Sequence, residues 1–279
     1  MTAPDGRTGT PDANVDRAEL RRRYGPWAVV TGGSEGVGAA FALQLAEAGV
    51  HLVLAARRAG PLEETAGKCR SAGATVRTVS ADLTSEAGVA AVLEATKDIE
   101  VGLLVLNAGA NTHGRPFLDG DLDAFNAVID LNVTSSLALV HPLGRLMRDR
   151  GRGGIMFIGS LSGGHGAARQ SVYGGSKAFL QVFGESLWLE LRGTGVDVLV
   201  FVLGLTRTPA MERAGLRFDL PEIPWSHPDD VARQGLAALP HGPVAIVDGF
   251  DENFARAADP DRRDVVLKAA ERMAKMFAS

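Results

Sequence analysis

The chain alternates short runs of apolar, often β-branched residues with longer stretches in which apolar residues recur at helical spacing. The short runs predict buried strands, and the longer stretches predict amphipathic helices. Strands are predicted at residues 27–31, 51–56, 75–80, 103–107, 154–158, 197–203 and 245–247. Seven strands that alternate with helices favour an α/β fold, a doubly wound parallel sheet with helices on both faces.

Helices are predicted between these strands and at both ends of the chain. Asp229 and Asp230 suit the first turn of one of them, because carboxylates stabilise the positive end of a helix. The predicted helices cover residues 16–24, 38–48, 61–72, 85–98, 122–150, 173–192, 227–239 and 262–277.

Three segments lie outside this alternation, and they divide the chain into a leader, one domain and an extension. Residues 1–15 are rich in Thr, Gly, Pro and Asp without an apolar core, so we expect a disordered leader rather than a signal peptide or a membrane span. Within the domain at 16–249, residues 205–226 form a long connection, which is typical of a lid or binding loop. Residues 250–279 are predicted to be a helical extension that packs on the sheet, on the lid or on another subunit.

Composition favours one compact unit that handles small molecules. Of the 279 residues, 46% are apolar and 22% are charged, which is close to the globular average. The net charge of −4 argues against general binding to nucleic acid or to anionic membranes. The single cysteine, Cys69, excludes an intramolecular disulfide and suits a reducing cytoplasm. No His, Cys and carboxylate set has metal-ligand spacing, so no metal is predicted.

A glycine-rich turn joins the first predicted strand to the helix that follows it. Residues 31–38, which we call the phosphate turn, have the sequence TGGSEGVG. Their glycines let the backbone approach a pyrophosphate, and the free N–H groups at the helix start can bind its charge. A glycine-rich turn without a ligand is the alternative, and this turn alone does not define the chemistry.

Two arginines follow the second predicted strand, at the end of the site where the adenosine of a dinucleotide would lie. An acid at this strand end binds a ribose 2′-hydroxyl, whereas Arg57 and Arg58 favour the 2′-phosphate of NADP. Alternatively, both arginines merely solvate a loop. Glu35 in the phosphate turn opposes a 2′-phosphate and weakens the preference for NADP over NAD. Asp82 follows the third strand and can accept a hydrogen bond from the adenine amino group, unless it serves helix capping instead.

The candidate catalytic residues follow the fifth strand. Tyr173 and Lys177 are four residues apart on a predicted helix and so share one face. An ammonium stabilises a nearby phenolate, so this pair suits proton transfer. Ser160 lies just beyond the strand, at the edge where open α/β sheets bind ligands, and can polarise a carbonyl; turn formation and helix capping are its alternative roles. Ser160 is not in a G-x-S-x-G elbow and has no supporting histidine, which disfavours a hydrolase.

These features occur in one order along the chain: the phosphate turn, Asn107-Ala108-Gly109, Asn132, Ser160 and the Tyr173–Lys177 pair. In identity, order and spacing they resemble the short-chain dehydrogenase/reductase family. The resemblance covers about residues 26–247 and implies a single-domain Rossmann fold with a seven-stranded sheet.

The resemblance also implies a role for each residue. Tyr173 would be the acid/base, Lys177 would tune it, Ser160 would bind the substrate carbonyl, and Asn132 would complete a water-linked proton relay. Arg57 stands next to the position where NAD-selecting members have an acid, a pattern that is typical of NADP-preferring members. The cofactor-binding residues are then Gly32, Ser34, Glu35, Gly36, Val37, Gly38, Arg57, Arg58, Asp82, Leu83, Asn107, Ala108, Gly109, Tyr173, Lys177, Thr206 and Thr208.

The predicted function is NADP(H)-dependent interconversion of a ketone and a secondary alcohol, with NAD(H) as the less favoured cofactor. A redox-neutral step, such as epimerisation or dehydration, and a non-catalytic cofactor sensor are the alternatives. The apolar residues of the lid suggest a moderately apolar substrate, and core packing is the alternative for half of them. Arg207, Arg213 and Arg217 could instead reach an acidic group. The apolar lid residues are Met211, Leu216, Phe218, Leu220, Ile223 and Trp225.

The resemblance further implies a homodimer or homotetramer, since members of the family usually associate through the helices that correspond to residues 122–150 and 173–192. The second of these helices is apolar over much of its surface, as an interface requires. The apolar residues are Phe179, Leu180, Val182, Phe183, Leu187, Trp188 and Leu191.

Overall fold

The fold is a seven-stranded parallel sheet covered on both faces. The structure is a computed structural model that describes residues 16–216, 218 and 224–277, with the last six as backbone only. The strands run in the order β3-β2-β1-β4-β5-β6-β7. They are β1 (Trp27–Thr31), β2 (His51–Ala56), β3 (Val76–Ser80), β4 (Val101–Leu106), β5 (Gly153–Ser160), β6 (Val196–Leu203) and β7 (Val244–Ile246). The predicted fold class is confirmed, and each predicted strand is correct to within two residues at either end.

The helices fill the connections between these strands. They are α1 (Arg17–Tyr24), α2 (Gly36–Glu47), α3 (Ala59–Ser71), α4 (Glu86–Glu94), α5 (Leu122–Ile129), α6 (Ser135–Arg150), α7 (Ser171–Glu190), α8 (Pro209–Arg213), α9 (Pro228–Ala238), α10 (Asp251–Ala257) and α11 (Arg262–Phe277). The predicted helix 85–98 is too long, because Ser85 is the N-cap of α4 and the chain leaves the helix after Glu94 through tight turns towards β4.

The strands are buried on both faces because the sheet separates two apolar cores. Along β1, Ala28 and Val30 belong to one core and Val29 to the other, as alternate residues of a strand point to opposite faces. Helices α2, α3 and α9 cover the first core, and α4, α6 and α7 cover the second. Strand β1 pairs with both β2 and β4, so the strand order reverses at β1 and leaves a crevice at the carboxyl ends.

The helix predicted at 122–150 is not one regular helix. The segment Asp130–Thr134 forms a π turn between α5 and α6. Buried apolar residues recur at helical spacing on both sides of this turn, Phe125 and Val128 before it and Leu139 and Leu143 after it, so the apolar pattern did not reveal it. Insertions of this kind are frequent at functional sites. Here the turn contains Asn132, which is fully buried.

The surface of α7 differs from the sequence prediction. Leu180 and Leu191 are buried in the core, and Phe183, Leu187 and Trp188 pack against it. Most of these apolar side chains therefore pack on their own domain and are not available to contact a partner. The large apolar side chains that α7 exposes are Phe179, Val182 and Leu189, the last of which was not predicted.

Two segments pack over the crevice, and the leader lies outside the described residues. The lid leaves β6 and contains α8, and its base is closed by Thr206 pairing with Ser226. The extension forms α10 and α11 and contacts the loop after Ser160, which was not among the packing partners predicted for it. Within the described residues, no helix is long and apolar enough to cross a membrane.

Candidate active site

Four predicted catalytic side chains come together at the carboxyl end of the sheet. Ser160 is the last residue of β5, and Tyr173 and Lys177 lie on the first turns of α7. Asn132 reaches the same region from the π turn. Parallel strands all end at this edge, so residues that follow them meet there although they are far apart along the chain.

The hydroxyl groups of Ser160 and Tyr173 are joined by a hydrogen bond. Ser160 Oγ also accepts a hydrogen bond from the backbone N–H of Ser162 at 3.2 Å, which turns the chain out of β5. Burial raises the pKa of Tyr173 above its ordinary value, and the hydrogen bond to Ser160 opposes that rise. Tyr173 therefore carries its proton at neutral pH and is able to donate it.

Lys177 is a buried cation beside the ring of Tyr173. Only 5% of the residue is exposed, and Nζ donates a hydrogen bond to the carbonyl of Ile158 at 2.9 Å. Nζ lies 5.7 Å from the centroid of the Tyr173 ring. Burial lowers the pKa of Lys177 to about 8. At pH 7 the side chain is still charged, and a cation at this distance favours the phenolate that proton donation leaves behind.

Asn132 has one buried polar atom without a hydrogen-bond partner among the described residues. Its Nδ2 donates to the carbonyls of Val128 at 2.9 Å and Ala110 at 3.1 Å, which fixes the orientation of the amide. Its Oδ1 accepts no hydrogen bond from any residue that the structure describes. A Cβ atom on Gly109 would lie 2.5 Å from this oxygen and 2.8 Å from Lys177 Nζ. Both polar atoms thus border the same small space, which suits a bridging water.

The phosphate turn has the backbone that a close approach to a ligand requires. Gly32 and Gly36 have φ values of +67° and +57°, a region that favours glycine. A Cβ atom on Gly38 would collide with the carbonyl oxygen of Gly32, so the start of α2 also needs glycine. Val37 is buried in α2, and the carbonyl of Ser34 accepts a hydrogen bond from Thr65 Oγ1 at 3.0 Å. The turn therefore fits a pyrophosphate above the N-terminus of α2.

Asn107 ties the end of β4 to the phosphate turn. Its Nδ2 donates to the carbonyls of Thr31 at 3.0 Å and Gly32 at 3.1 Å. Thr31 Oγ1 in turn accepts hydrogen bonds from the backbone N–H groups of Asn107 and Ala108, both at 3.0 Å. These bonds hold the two strand ends together at the point where the strand order reverses.

Glu35, which the sequence analysis counted against a 2′-phosphate, is paired with two arginines. Its Oε2 pairs with Arg58 at 2.7 Å, and both of its oxygens pair with Arg213 of α8. These arginines lower the pKa of Glu35, with Arg213 contributing most. Arg57 is exposed and forms no side-chain ion pair with the described residues. The adenosine end of the crevice therefore carries an excess of positive charge.

Asp82 has a local hydrogen-bonding role. Its Oδ1 accepts hydrogen bonds from the backbone N–H of Thr84 at 3.0 Å and from Thr84 Oγ1 at 2.9 Å. Ser85, not Asp82, caps α4 by accepting from Gly88 N–H at 3.1 Å. The neighbouring Leu83 is buried in the core, so it helps to fix this loop beside the crevice.

The two lid threonines are both engaged by the lid itself. Thr206 is buried, and its hydroxyl donates to the carbonyl of Gly204 at 3.4 Å. Thr208 caps α8 by accepting from the N–H of Met211 at 3.3 Å. Thr208 also packs on the phosphate turn, since a Cβ atom on Gly36 would lie 3.0 Å from its Cγ2.

The lid arginines do not form a clamp for an acidic substrate. Arg213 is committed to Glu35, and Arg207 pairs with Glu212 at 2.8 Å while it covers the rings of Phe218 and Trp225. Met211 is also partly exposed, and Leu216 is half-buried. The predicted lid residues Arg217, Leu220 and Ile223 lie outside the described residues.

The extension contacts the loop that connects Ser160 to Tyr173, which the sequence did not reveal. Arg262 donates to the carbonyl of Gly164 at 3.0 Å and also to the carbonyl of Ala257. A Cβ atom on Gly164 would lie 2.6 Å from the Cβ of Ala257, so α10 rests directly on this loop. No local pattern predicts a contact between residues 98 positions apart.

Other reactive groups have structural surroundings. Cys69 is buried, and burial raises its pKa to about 11, so it is a poor nucleophile. His113 Nε2 accepts a hydrogen bond from the N–H of Asp121 at 3.2 Å, and its ring contacts Phe125. Among the described residues, no three His, Cys or carboxylate groups are close enough to share a metal ion.

The doubly wound sheet, the phosphate turn and the tyrosine–lysine pair define a dinucleotide-binding oxidoreductase. Residues 26–216 match the model of the family described as short chain dehydrogenase. The chain therefore belongs to the short-chain dehydrogenase/reductase family, whose members use NAD or NADP. This membership favours the predicted oxidoreductase over the non-catalytic cofactor sensor.

Characterised relatives cover most of the chain. The 7beta-hydroxysteroid dehydrogenase of Collinsella aerofaciens is 32% identical over 193 residues, which is 69% of this chain and 73% of that protein. A solved structure from work on 7beta-hydroxysteroid dehydrogenase stereoselectivity has a TM-score of 0.81 at 27% identity, and covers 89% of this chain and 98% of its own. The short-chain dehydrogenase from Sphingobium yanoikuyae in complex with NADPH has a TM-score of 0.72 at 30% identity, with 91% and 96% covered.

Proposed function

We propose that the protein is an NADP(H)-dependent oxidoreductase that interconverts a ketone and a secondary alcohol. The observation that carries this proposal is the hydrogen-bonded pair of Ser160 and Tyr173, with Lys177 buried beside the tyrosine ring. A hydroxyl pair at the ligand-binding edge of the sheet is suited to bind a carbonyl oxygen and to exchange its proton.

The residues divide the proton chemistry among them. The bound nicotinamide supplies or accepts the hydride. Ser160 orients the substrate oxygen and Tyr173 donates a proton to it during reduction. Lys177 stabilises the resulting phenolate, and its charge at neutral pH is consistent with its pKa of about 8. Asn132 Oδ1, buried without a protein partner among the described residues, holds a water that returns a proton to Tyr173 from solvent. In oxidation these proton transfers run in reverse.

The choice of NADP(H) over NAD(H) rests on the arginines at the end of β2. Arg57 and Arg58 offer guanidinium groups to a 2′-phosphate. Glu35 is neutralised by its ion pairs with Arg58 and Arg213, so the repulsion expected from its charge is reduced. Two of the solved structures that are similar to this chain contain NADPH or NADP. Gly32, Gly36 and the phosphate turn around them would hold the pyrophosphate.

We further propose a bulky, apolar ketone or alcohol of the hydroxysteroid type as the substrate. The named relatives act on hydroxysteroids. In this chain the lid presents Met211, Trp225 and Phe218, and its arginines Arg207 and Arg213 are occupied by carboxylates. An apolar lid surface whose arginines Arg207 and Arg213 pair with carboxylates suits a neutral ring system better than an acid.

The proposed assembly is a homodimer or homotetramer in the cytoplasm. The apolar side chains exposed on α5, α6 and α7 would be covered by a second copy of the chain. The cytoplasmic location is supported by the lone buried thiol of Cys69, which needs no oxidising compartment.

An absorbance assay tests the proposed function. Purified protein is mixed with NADPH or NADH and a panel of oxosteroids and smaller ketones, and the absorbance band of the reduced nicotinamide is followed. We expect its loss with NADPH and at least one oxosteroid, with stoichiometric formation of the alcohol. Product formation without any change in this band would instead establish a redox-neutral step. Turnover of small ketones only would contradict the proposed substrate class.

A further inference from the structure

The lid is fastened to the phosphate turn at two points. Arg213, at the end of α8, forms a two-pronged ion pair with Glu35, one contact of which measures 3.0 Å. Thr208, at the start of α8, packs on Gly36. The two partners of the ion pair are 178 positions apart in the chain, so this contact exists only because the lid folds back over the crevice.

A single carboxylate holds two guanidinium groups side by side. Glu35 Oε2 accepts from Arg213 Nη1 at 3.0 Å and pairs with Arg58 Nη2 at 2.7 Å. Glu35 is the least exposed member, with 24% of its side chain accessible, whereas about half of each arginine side chain faces solvent. Both cations are thus oriented by a carboxylate beneath them while part of each guanidinium stays accessible.

The charge of this cluster matches a phosphate monoester. Arg57, Arg58 and Arg213 carry three positive charges, and Glu35 carries one negative charge, which leaves an excess of two. A phosphate monoester carries about −1.5 to −2 at neutral pH. A ribose 2′-hydroxyl has no charge to balance this excess.

We infer that Arg213 is a cofactor-specificity residue, by which the lid contributes a cation to the 2′-phosphate of NADP(H). This inference rests on the proposed function. Guanidinium groups bind phosphate through paired hydrogen bonds, and Glu35 orients Arg213 and Arg58 towards the same place. Because Arg213 belongs to the lid, the 2′-phosphate also holds the lid against the phosphate turn. Glu35, which the sequence analysis counted against NADP, therefore contributes to the recognition of NADP by orienting these arginines.

The test compares the dissociation constants of NADPH and NADH, measured by fluorescence titration without substrate. Arg213→Gln removes the lid cation. Arg22→Gln is the matched control. Arg22 makes a similar two-pronged pair with Glu19, at 2.6 and 2.7 Å, within α1 and away from the crevice. We expect Arg213→Gln to raise the dissociation constant of NADPH about ten-fold, which corresponds to the loss of one charge-assisted contact. The dissociation constant of NADH should change less than about two-fold. Arg22→Gln should change neither dissociation constant.

Adenosine fragments separate recognition of the 2′-phosphate from a general effect of the lid. Arg213→Gln should raise the dissociation constant of adenosine 2′,5′-bisphosphate about ten-fold and leave that of adenosine 5′-monophosphate unchanged. Equal weakening of both cofactors would overturn the inference, because Arg213 would then only latch the lid. Unchanged NADPH binding would overturn it as well. Wild-type protein that binds NADH as tightly as NADPH would refute the inference but leave the oxidoreductase, whereas failure to bind either cofactor would refute the proposed function itself.

Discussion

Tyr173 and Tyr24 are the two tyrosines of the chain, and their surroundings indicate different roles. Tyr173 shares a hydrogen bond with Ser160 at the crevice. Tyr24 is buried at the amino ends of the strands, where its hydroxyl donates to Asp197 at 2.7 Å. One phenol is therefore placed for chemistry and the other for stability.

Replacing each tyrosine with phenylalanine tests this division. Tyr173→Phe removes the proton donor, so we expect kcat to fall by at least about 100-fold while the dissociation constant of NADPH stays within about two-fold. Tyr24→Phe should keep its kcat and lose about 1 kcal/mol of unfolding free energy, because Asp197 loses a buried hydrogen bond. Steady-state kinetics and urea denaturation measure both variants. Near-normal turnover of Tyr173→Phe would refute its role as acid.

Lys177 should reduce the stability of the fold that it serves. Its pKa of about 8 lies below the ordinary value of 10.5, which means that burial disfavours its charged form. Lys177→Met removes this cost, so we expect the unfolding free energy at pH 7 to rise by about 1–3 kcal/mol while turnover is lost. Functional residues often carry such a cost.

The pH dependence gives this prediction a specific signature. Between pH 8 and 10.5 the unfolded chain holds the Lys177 proton and the folded chain does not, so wild-type stability rises with pH in this window. Lys177→Met lacks this contribution. The stability difference between the two proteins should shrink by roughly 1–2 kcal/mol from pH 7 to pH 9.5. Urea denaturation at both pH values measures it, and a constant difference would show that Lys177 is not desolvated.

At the scale of elements, the loop between β5 and α7 depends on the C-terminal helices. This loop leads from Ser160 to Tyr173, and Arg262 of the extension fastens it through the carbonyl of Gly164. The extension should therefore influence the substrate side of the crevice without touching the phosphate turn.

Neighbouring arginines of α11 test the role of the extension. Arg262→Gln should raise the KM of the ketone substrate roughly 3- to 10-fold, since the loop loses its anchor, and should leave the dissociation constant of NADPH unchanged. Arg263 is exposed and makes no hydrogen bond or ion pair with the described residues, so Arg263→Gln is the matched control and should behave as wild type. Initial rates at varied ketone concentration provide the measurement. Weakened NADPH binding in Arg262→Gln would contradict the assignment.

At the scale of the whole molecule, one side of the domain keeps large apolar side chains in solvent. Val182 and Leu189 of α7 are 63% and 60% exposed, and Leu146 of α6 is 61% exposed. A monomer rarely exposes such a surface without a partner. This exposure supports an assembly through α6 and α7.

A charge introduced on this surface should dissociate the assembly. We expect Val182→Glu to shift the protein to monomers, because a buried carboxylate in an apolar interface has no partner to balance it. Leu267→Glu, on the exposed face of α11, should leave the assembly intact because this residue lies on a different element. Sedimentation velocity distinguishes the two results. A wild-type protein that sediments as a monomer would rule out the proposed assembly.

The sequence by itself determined the sheet and supplied the candidate site residues. Residues of strands buried on both faces must be apolar, so the strands appear as continuous apolar runs. The phosphate turn needs glycine at Gly32 and Gly36, because only glycine adopts their backbone angles readily. Tyr173 and Lys177 are four residues apart, and the geometry of one helix turn suffices to bring them together.

Only the tertiary structure decided how distant segments meet. The π turn at Asn132 lies between two segments that each show helical apolar spacing, so the local pattern did not reveal it. The pairs of Arg213 with Glu35 and of Arg262 with Gly164 join segments 178 and 98 positions apart. Charged side chains are compatible with many surface positions, and hence their partners follow from the path of the chain. The sequence thus supplied the residues of the candidate site, while the fold determined which charges face one another.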